Sequence, residues 1–351
     1  MKEIILGYRN RIISEMESFF GRVRENFKMR DKWFFDVLDR LYEFSISGKM
    51  IRGALVMFSE NMFSNKITND SVKCAICIEL LQSGLLIHDD IMDEDTQRRG
   101  KDSVFFQYKK LADSMGIENS YHIGESVGIC AGNFAFSLAF LSLAEIEKKK
   151  VLDKLILKFG EEMAIVGVGQ MKDVITSGQR ELPTEDDIVS IYRYKTARYS
   201  FSLPFSLGAI LSEVSEDDIS LIEEIGECIG IIFQIQDDKI GIVGNENVIG
   251  KPVGSDIKEN KKTLYYLYLM NSVNDEEKSK LLSIFGNRDI GVSEVDYVIH
   301  LLNKYDIFKK VETKVMEFVS KAKNKISRLS VDDKYKQFLL EFIQYNLNRD
   351  K

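Results

Sequence analysis

Asp89, Asp90 and Asp93 close one apolar run, LLQSGLLIHDDIMDEDTQRRG from Leu80, and Asp237 and Asp238 close a second, CIGIIFQIQDDKIGIVG from Cys228. A helix apolar on all sides belongs in a protein interior, and a carboxylate at its end is costly unless its charge is compensated. Hard divalent cations supply that compensation, because Mg²⁺ takes carboxylate oxygen and shares itself with substrate phosphates. Asp89 and Asp93 are four positions apart and share a helical face, with Asp90 on a neighbouring one. Arg98 and Arg99 follow, two guanidinium groups shaped for phosphate oxygens. A single such pair reads as a solvated helix end held by salt bridges. Two pairs, one of them trailed by Arg-Arg, point to a metal–diphosphate site.

The segment DDIMDEDTQRRG resembles the first aspartate-rich motif of the trans-prenyltransferases, the isoprenyl diphosphate synthases, and QDDKIGIVGNENVIGKPVGSDIKENKKT resembles their second motif with the GKxxGSD segment after it. Gly48 to Gly53 is similar to the family's GKxxR segment, Gly169 to Asp173 to its GQxxD, and Lys195-Thr196-Ala197 to its KT segment. The five blocks stand in the family's order between residues 48 and 263. The resemblance implies an isopentenyl diphosphate condensation: an allylic C–O bond ionises, the carbocation adds to the double bond of isopentenyl diphosphate, and the released diphosphate accepts the proton that leaves. Metal ions and cations neutralise the leaving group as its charge appears.

It further implies three Mg²⁺ ions, held by Asp89 and Asp93 on one side of the diphosphate and Asp237 on the other, with Asp90 and Asp238 orienting them. Arg98, Lys195 and Lys251 would contact the allylic diphosphate, with Lys261 as a further clamp. Thr196, Gln170 and Gln234 would turn oxygen dipoles to the cation, and Asp173 would reach a metal-bound water; a satisfied buried polar group is the competing reading for each amide and hydroxyl. Lys49, Arg52, Gln82 and Arg99 would form the isopentenyl diphosphate site. No side-chain base is required, and His88 reads as a helix residue with a structural hydrogen bond.

Two departures from the family pattern bear on activity. Gly241 stands where many members carry a third aspartate, which would weaken metal binding on that side. Gly84 stands five positions before Asp89, where shorter-chain synthases carry an aromatic ring that blocks the growing tail. Glycine inside a helix costs about 1 kcal/mol relative to alanine, so it has a reason: an opened elongation tunnel, with the floor deeper at Leu81, Ile78 or the helix holding Phe134, or else close helix packing. The tunnel reading favours a product of C20, geranylgeranyl diphosphate, or somewhat longer.

The elements that must position these groups are helical. Only Pro183, Pro204 and Pro252 interrupt the chain, i, i+3, i+4 apolar spacing recurs, and no linker or low-complexity run appears. Residues 1–351 therefore read as one all-α domain, and the resemblance makes it a single-domain bundle of long helices around a central cavity. Helices are expected near 1–27, 31–45, 52–63, 71–95, 124–148, 151–175, 184–212 and 216–242, with Thr184 and Asp187 as a capping box. Residues 112–120 and the glycine-rich 244–262 read as loops, and four or so helices follow Thr263.

With 44% hydrophobic residues the core is large, and a net charge of −7 argues against nucleic acid as a partner. Cys74 and Cys77 read as core thiols rather than zinc ligands. No signal peptide or uncharged membrane-spanning run is evident, so a cytoplasmic protein is expected. The resemblance adds a homodimer. A class I terpene cyclase would need no Lys49–Arg52–Arg99 site; a non-catalytic regulatory subunit is supported by Gly241 and opposed by intact Asp89, Asp93, Arg98, Arg99, Lys195, Asp237 and Lys251. Longer-chain and farnesyl synthases remain alternatives for product length.

Overall fold

A computed structural model describes residues 2–243 and 254–349. Contacts divide the chain into two compact units: Met1–Ile156 with Leu207–Val214, and Leu157–Ser206 with Ser215–Lys351. Neither unit is one continuous stretch of sequence, which is why no linker marks the division.

The first unit holds α1 (Lys2–Asn26), α2 (Lys32–Ile46), α3 (Ile51–Ser64), α4 (Asn69–Met92), a hairpin of β1 (Gln97–Arg98) and β2 (Lys101–Asp102), α5 (Val104–Ser114), α6 (Ser120–Ala144) and the first residues of α7 (Lys149–Gly178). Its core helix is α4, with Cys74, Cys77, Ile78, Leu81 and Ile87 fully buried. Thr68 caps α4 by accepting from the Ser71 N–H at 3.3 Å. The polar Asp31 does the same for α2, accepting from Trp33.

The second unit holds the rest of α7, α8 (Glu185–Ile191), an eleven-residue π-helix (Tyr192–Ser202), the start of α9 (Leu203–Leu211) and α10 (Glu216–Val243). It continues through α11 (Ser255–Lys258), α12 (Leu264–Met270), α13 (Asp275–Ile284), α14 (Val292–Lys304), α15 (Ile307–Arg328) and α16 (Asp333–Leu347). The expected capping box is present, with Thr184 accepting from the Asp187 N–H and Asp187 accepting from the Thr184 N–H.

The all-α expectation holds, with corrections in detail. The hairpin and α5 occupy 97–114, which the apolar periodicity did not mark out. The helix expected over 184–212 is π-wound in its middle. The loop expected over 244–262 contains one helical turn at Ser255–Lys258, and the four or so helices expected after Thr263 are five among the described residues. Two helices, Asn69–Met92 and Ser120–Ala144, are long and apolar enough to cross a membrane by length and composition; the apolar window of the first is 78% buried within the protein and that of the second 44%.

Candidate active site

In the first unit, four carboxylates gather where α4 ends. Asp93 is the C-cap, its N–H bonded to the Asp89 carbonyl, and the Asp95 N–H reaches the Asp90 carbonyl at 2.8 Å. The C-terminus of a helix carries partial negative charge, so this is the end at which carboxylates are least welcome. Arg98 answers them. Its Nε donates to Asp90 Oδ1 at 2.6 Å, and Nη2 lies 3.4 Å from Asp95 Oδ2 and 3.8 Å from Asp89 Oδ2. Asp90 is fully buried, and burial pushes its carboxyl up to about 7 against the opposing pull of Arg98. Its Oδ2 has no hydrogen-bond partner among the described residues.

The Arg98-Arg99 pair is split by the hairpin. Arg99 and Gly100 form its two-residue turn, both with positive φ, 54° and 75°, as a type I′ turn demands. Arg98, on β1, turns to the aspartates, whereas Arg99 is sent to the GKxxR loop. The Arg99 guanidinium donates to the Phe44 carbonyl at 3.0 Å and Ser47 Oγ at 2.9 Å, and a Cβ on Gly48 would lie 3.3 Å from it. Burial lowers its pKa, with buried Glu79 acting in the opposite sense. Glu79, raised by burial, accepts from the Gly53 N–H at 2.8 Å and feels both Arg52 and Arg99. Gln82, three positions on in α4, is buried with Oε1 unpartnered. Gly48, Arg52, Arg99 and Glu79 are thus brought together. Lys49 belongs to the same loop.

Gly84 meets α6. A Cβ there would lie 2.7 Å from Phe136 Cδ1 and 2.9 Å from the Gly132 carbonyl oxygen. The His88 ring packs edge-on to Phe136 at 5.4 Å, and its Nε2 lies 3.1 Å from the Ile129 carbonyl, a structural hydrogen bond as expected. Of the two readings of Gly84, close helix packing is the one this geometry displays, and the space beside it already holds a ring from position 136. Leu81 is fully buried one turn earlier.

The second unit assembles its own cluster. Gly169 lets α7 approach the backbone of Tyr194 and Lys195 so closely that a Cβ would lie 2.6 Å from the Tyr194 carbonyl carbon. Lys195 Nζ then reaches Asp173 Oδ2 at 2.5 Å. Gly226 and Gly230 bring α10 equally close to the π-helix. Across that contact Thr196 Oγ1 donates to Gln234 Oε1 at 2.7 Å, and Gln234 Nε2 donates to Asp238 Oδ1 at 2.8 Å. The Tyr192 hydroxyl donates to Asp238 and accepts from the Leu264 N–H. Sequence reasoning passed over Tyr192, whose only signal was its place three residues before Lys195. Burial and the charges of Asp256 and Asp237 push the Asp238 carboxyl up to about 8. Lys261 pairs with Glu259 at 2.8 Å. Lys251 lies outside the described residues.

Asp256 alters the reading of Gly241. A Cβ on Gly241 would lie 2.8 Å from Asp256 Oδ2 and 3.0 Å from its Cγ, and the Gly254 N–H donates to the Gly241 carbonyl at 3.2 Å. Asp256 therefore places a carboxylate beside the helix face where an aspartate at 241 would have presented its own. Gly241→Asp is expected to crowd two like charges and to lower unfolding free energy in urea by about 1–3 kcal/mol; a variant as stable as wild type would mean that Asp256 swings freely aside.

These groups suit a hard divalent cation: carboxylate oxygens, among them Oδ2 of Asp90 and Oδ2 of Asp93 buried without a hydrogen bond among the described residues, at a helix end already rich in negative charge. Among the described residues no three such groups are arranged to hold one metal ion by themselves. Each cation would take one or two carboxylates and complete its shell with water and phosphate oxygen, as Mg²⁺ commonly does.

Residues 31–302 match the family model for polyprenyl synthetase. A short chain isoprenyl diphosphate synthase of Methanocaldococcus jannaschii is 30% identical over 276 residues, 77% of this chain and 79% of that one. A geranylgeranyl diphosphate synthase of Saccharolobus solfataricus is 28% identical over 96% of this chain and 99% of its own length. The fold is similar to that of a geranylgeranyl pyrophosphate synthase from Corynebacterium glutamicum solved with isoprenyl diphosphate and magnesium, with TM-score 0.90 and 22% identity over 97% of this chain and 98% of that one.

Proposed function

The chain belongs to the polyprenyl synthetase family, and from that premise we propose that it is a trans-prenyltransferase, condensing isopentenyl diphosphate with an allylic diphosphate to give geranylgeranyl diphosphate. The observation that carries this reading is the end of α4: four aspartates at the negative end of a helix, three of them answered by one half-buried arginine. Such an arrangement is poorly made for stability alone and well made for a cation that arrives with a phosphate.

Bound divalent cations would neutralise the diphosphate as it leaves. Asp89 and Asp93 would hold them in the first unit, with Arg98 fixing the Asp90 backing. Asp237, with Asp256 beside the same helix face, would hold a cation in the second, three ions in all. Lys195 and Lys251 would take phosphate oxygens, with Lys261 in support, and the Thr196–Gln234 pair would turn oxygen dipoles toward positive charge. Isopentenyl diphosphate would bind at Lys49, Arg52, Gln82 and Arg99, where Arg52 and Arg99 both act on the carboxylate of Glu79.

Phe136, filling the gap at Gly84, is assigned as the residue that limits tail length, with Leu81 beneath. A second copy of this chain would cover α6, whose Tyr121, Ile129, Phe140 and Leu141 are exposed; a sedimenting mass of one chain at micromolar concentration would refute that pairing. A cytoplasmic location completes the reading.

The test is an assay with Mg²⁺, isopentenyl diphosphate and dimethylallyl, geranyl or farnesyl diphosphate, with products identified by mass. A C20 product lost on adding EDTA is expected, and Phe136→Ala should lengthen it by at least one C5 unit. Unchanged length would remove Phe136 from the role. Cyclic hydrocarbons formed without isopentenyl diphosphate would indicate a cyclase, and no product from any primer a regulatory subunit.

A further inference from the structure

One partner of the second aspartate pair comes from no motif. Arg349 stands just beyond α16, yet its Nη2 lies 2.9 Å from Asp237 Oδ1. Its guanidinium sits 4.0 Å from the centre of the Phe233 ring, one turn earlier on α10. The arginine side chain is only 10% exposed, whereas that of Asp237 is 47% exposed. A planar cation stacked on an aromatic face and largely withdrawn from water is a placed group. The carboxylate it meets still opens to solvent, where a cation could reach it.

We propose that Arg349 is a latch: it holds the segment that follows α16 on Asp237 in the metal-free protein, and a divalent cation bound at Asp237 displaces it. This rests on the reading of Asp237 as a cation ligand. The two cations compete for one negative charge. A metal on either carboxylate oxygen sets a double positive charge within a few ångströms of the guanidinium, which is itself largely withdrawn from water, so the two cations repel at short range. Coupling of this kind is reciprocal. If the metal loosens the arginine, removing the arginine must tighten the metal.

Two readouts independent of turnover test this on the full chain without substrate. Mn²⁺ binding is followed by electron paramagnetic resonance, and amide hydrogen exchange is followed in the segment 344–349. Arg349→Ala is expected to tighten Mn²⁺ at one site by roughly fivefold. Arg349→Lys, which keeps the charge, should stay within about twofold of wild type. In the wild type, saturating Mn²⁺ should speed exchange in 344–349 by roughly tenfold, and Asp237→Asn should show that fast exchange without metal. Unchanged Mn²⁺ affinity in Arg349→Ala, or exchange indifferent to metal, overturns the latch. Tightening by Arg349→Lys equal to that of Arg349→Ala overturns charge competition as its basis. Asp237→Asn binding Mn²⁺ as wild type does would remove the cation reading of Asp237 itself, and the latch with it.

Discussion

Asp89→Asn is expected to lower kcat by about a thousandfold, ~4 kcal/mol in the barrier, while leaving the protein as stable as wild type or slightly more so. The two halves of this expectation have one cause. The Asp89 side chain is 23% exposed at the end of α4, among three other carboxylates and a single arginine. Taking away one negative charge there relieves like-charge repulsion and an unfavourable helix-end interaction, worth about 0.3–1 kcal/mol. The same change removes a hard oxygen ligand that asparagine cannot replace in charge. Steady-state rates across a Mg²⁺ titration and urea unfolding in parallel check both halves. A kcat within tenfold of wild type would remove Asp89 from the chemistry. A large loss of stability would make it a structural residue.

Arg98→Met should do the opposite. It is expected to lower unfolding free energy by about 3–5 kcal/mol, because it strands the fully buried Asp90 without its partner. Methionine keeps much of the packing of the aliphatic stem, so the loss reports the charge. Adding Asp90→Asn should recover a good part of it, and the double-mutant cycle should show a coupling of at least ~2 kcal/mol. Urea unfolding of the four proteins decides the matter. Additive losses would mean that Arg98 stabilises through its contacts with Asp89 and Asp95 instead.

The two substitutions separate residues that look alike in the chain. Asp89 and Asp90 are neighbours, yet one opens to solvent and the other is sealed under an arginine. The i, i+4 relation of Asp89 and Asp93 predicted that division, since residues on one helical face share an environment that the next residue does not. Asp237 and Asp238 divide in the same way, 47% and 4% exposed. Long helices, the capping box at Thr184 and the burial of Cys74 and Cys77 were legible for the same reason. Each follows from spacing within one element, and a helix converts spacing into direction by a fixed rule.

Relations between elements were not legible in this way. The π-helix over Tyr192–Ser202 carries no periodicity of its own that a 3.6-residue pattern would reveal. Tyr192 reaches Asp238 only because Gly226 and Gly230 admit α10 against that helix. The Gly84 position shows the ambiguity most plainly, because a missing side chain reads equally as open space or close packing until the neighbour is known, and the neighbour is Phe136.

What the amino-acid sequence determined by itself is therefore the family, the all-α class and the identity of the charged groups, all carried by local spacing and by motif order. Tertiary structure decided their partners: Arg98 with Asp90, Arg99 with Phe44 and Ser47, Asp256 beside Gly241, and Arg349 on Asp237. The reason is geometric. A helix fixes where its own side chains point, but a two-residue turn with positive φ can send adjacent arginines to different sites, and an arginine beyond the last helix can meet a carboxylate more than a hundred positions earlier.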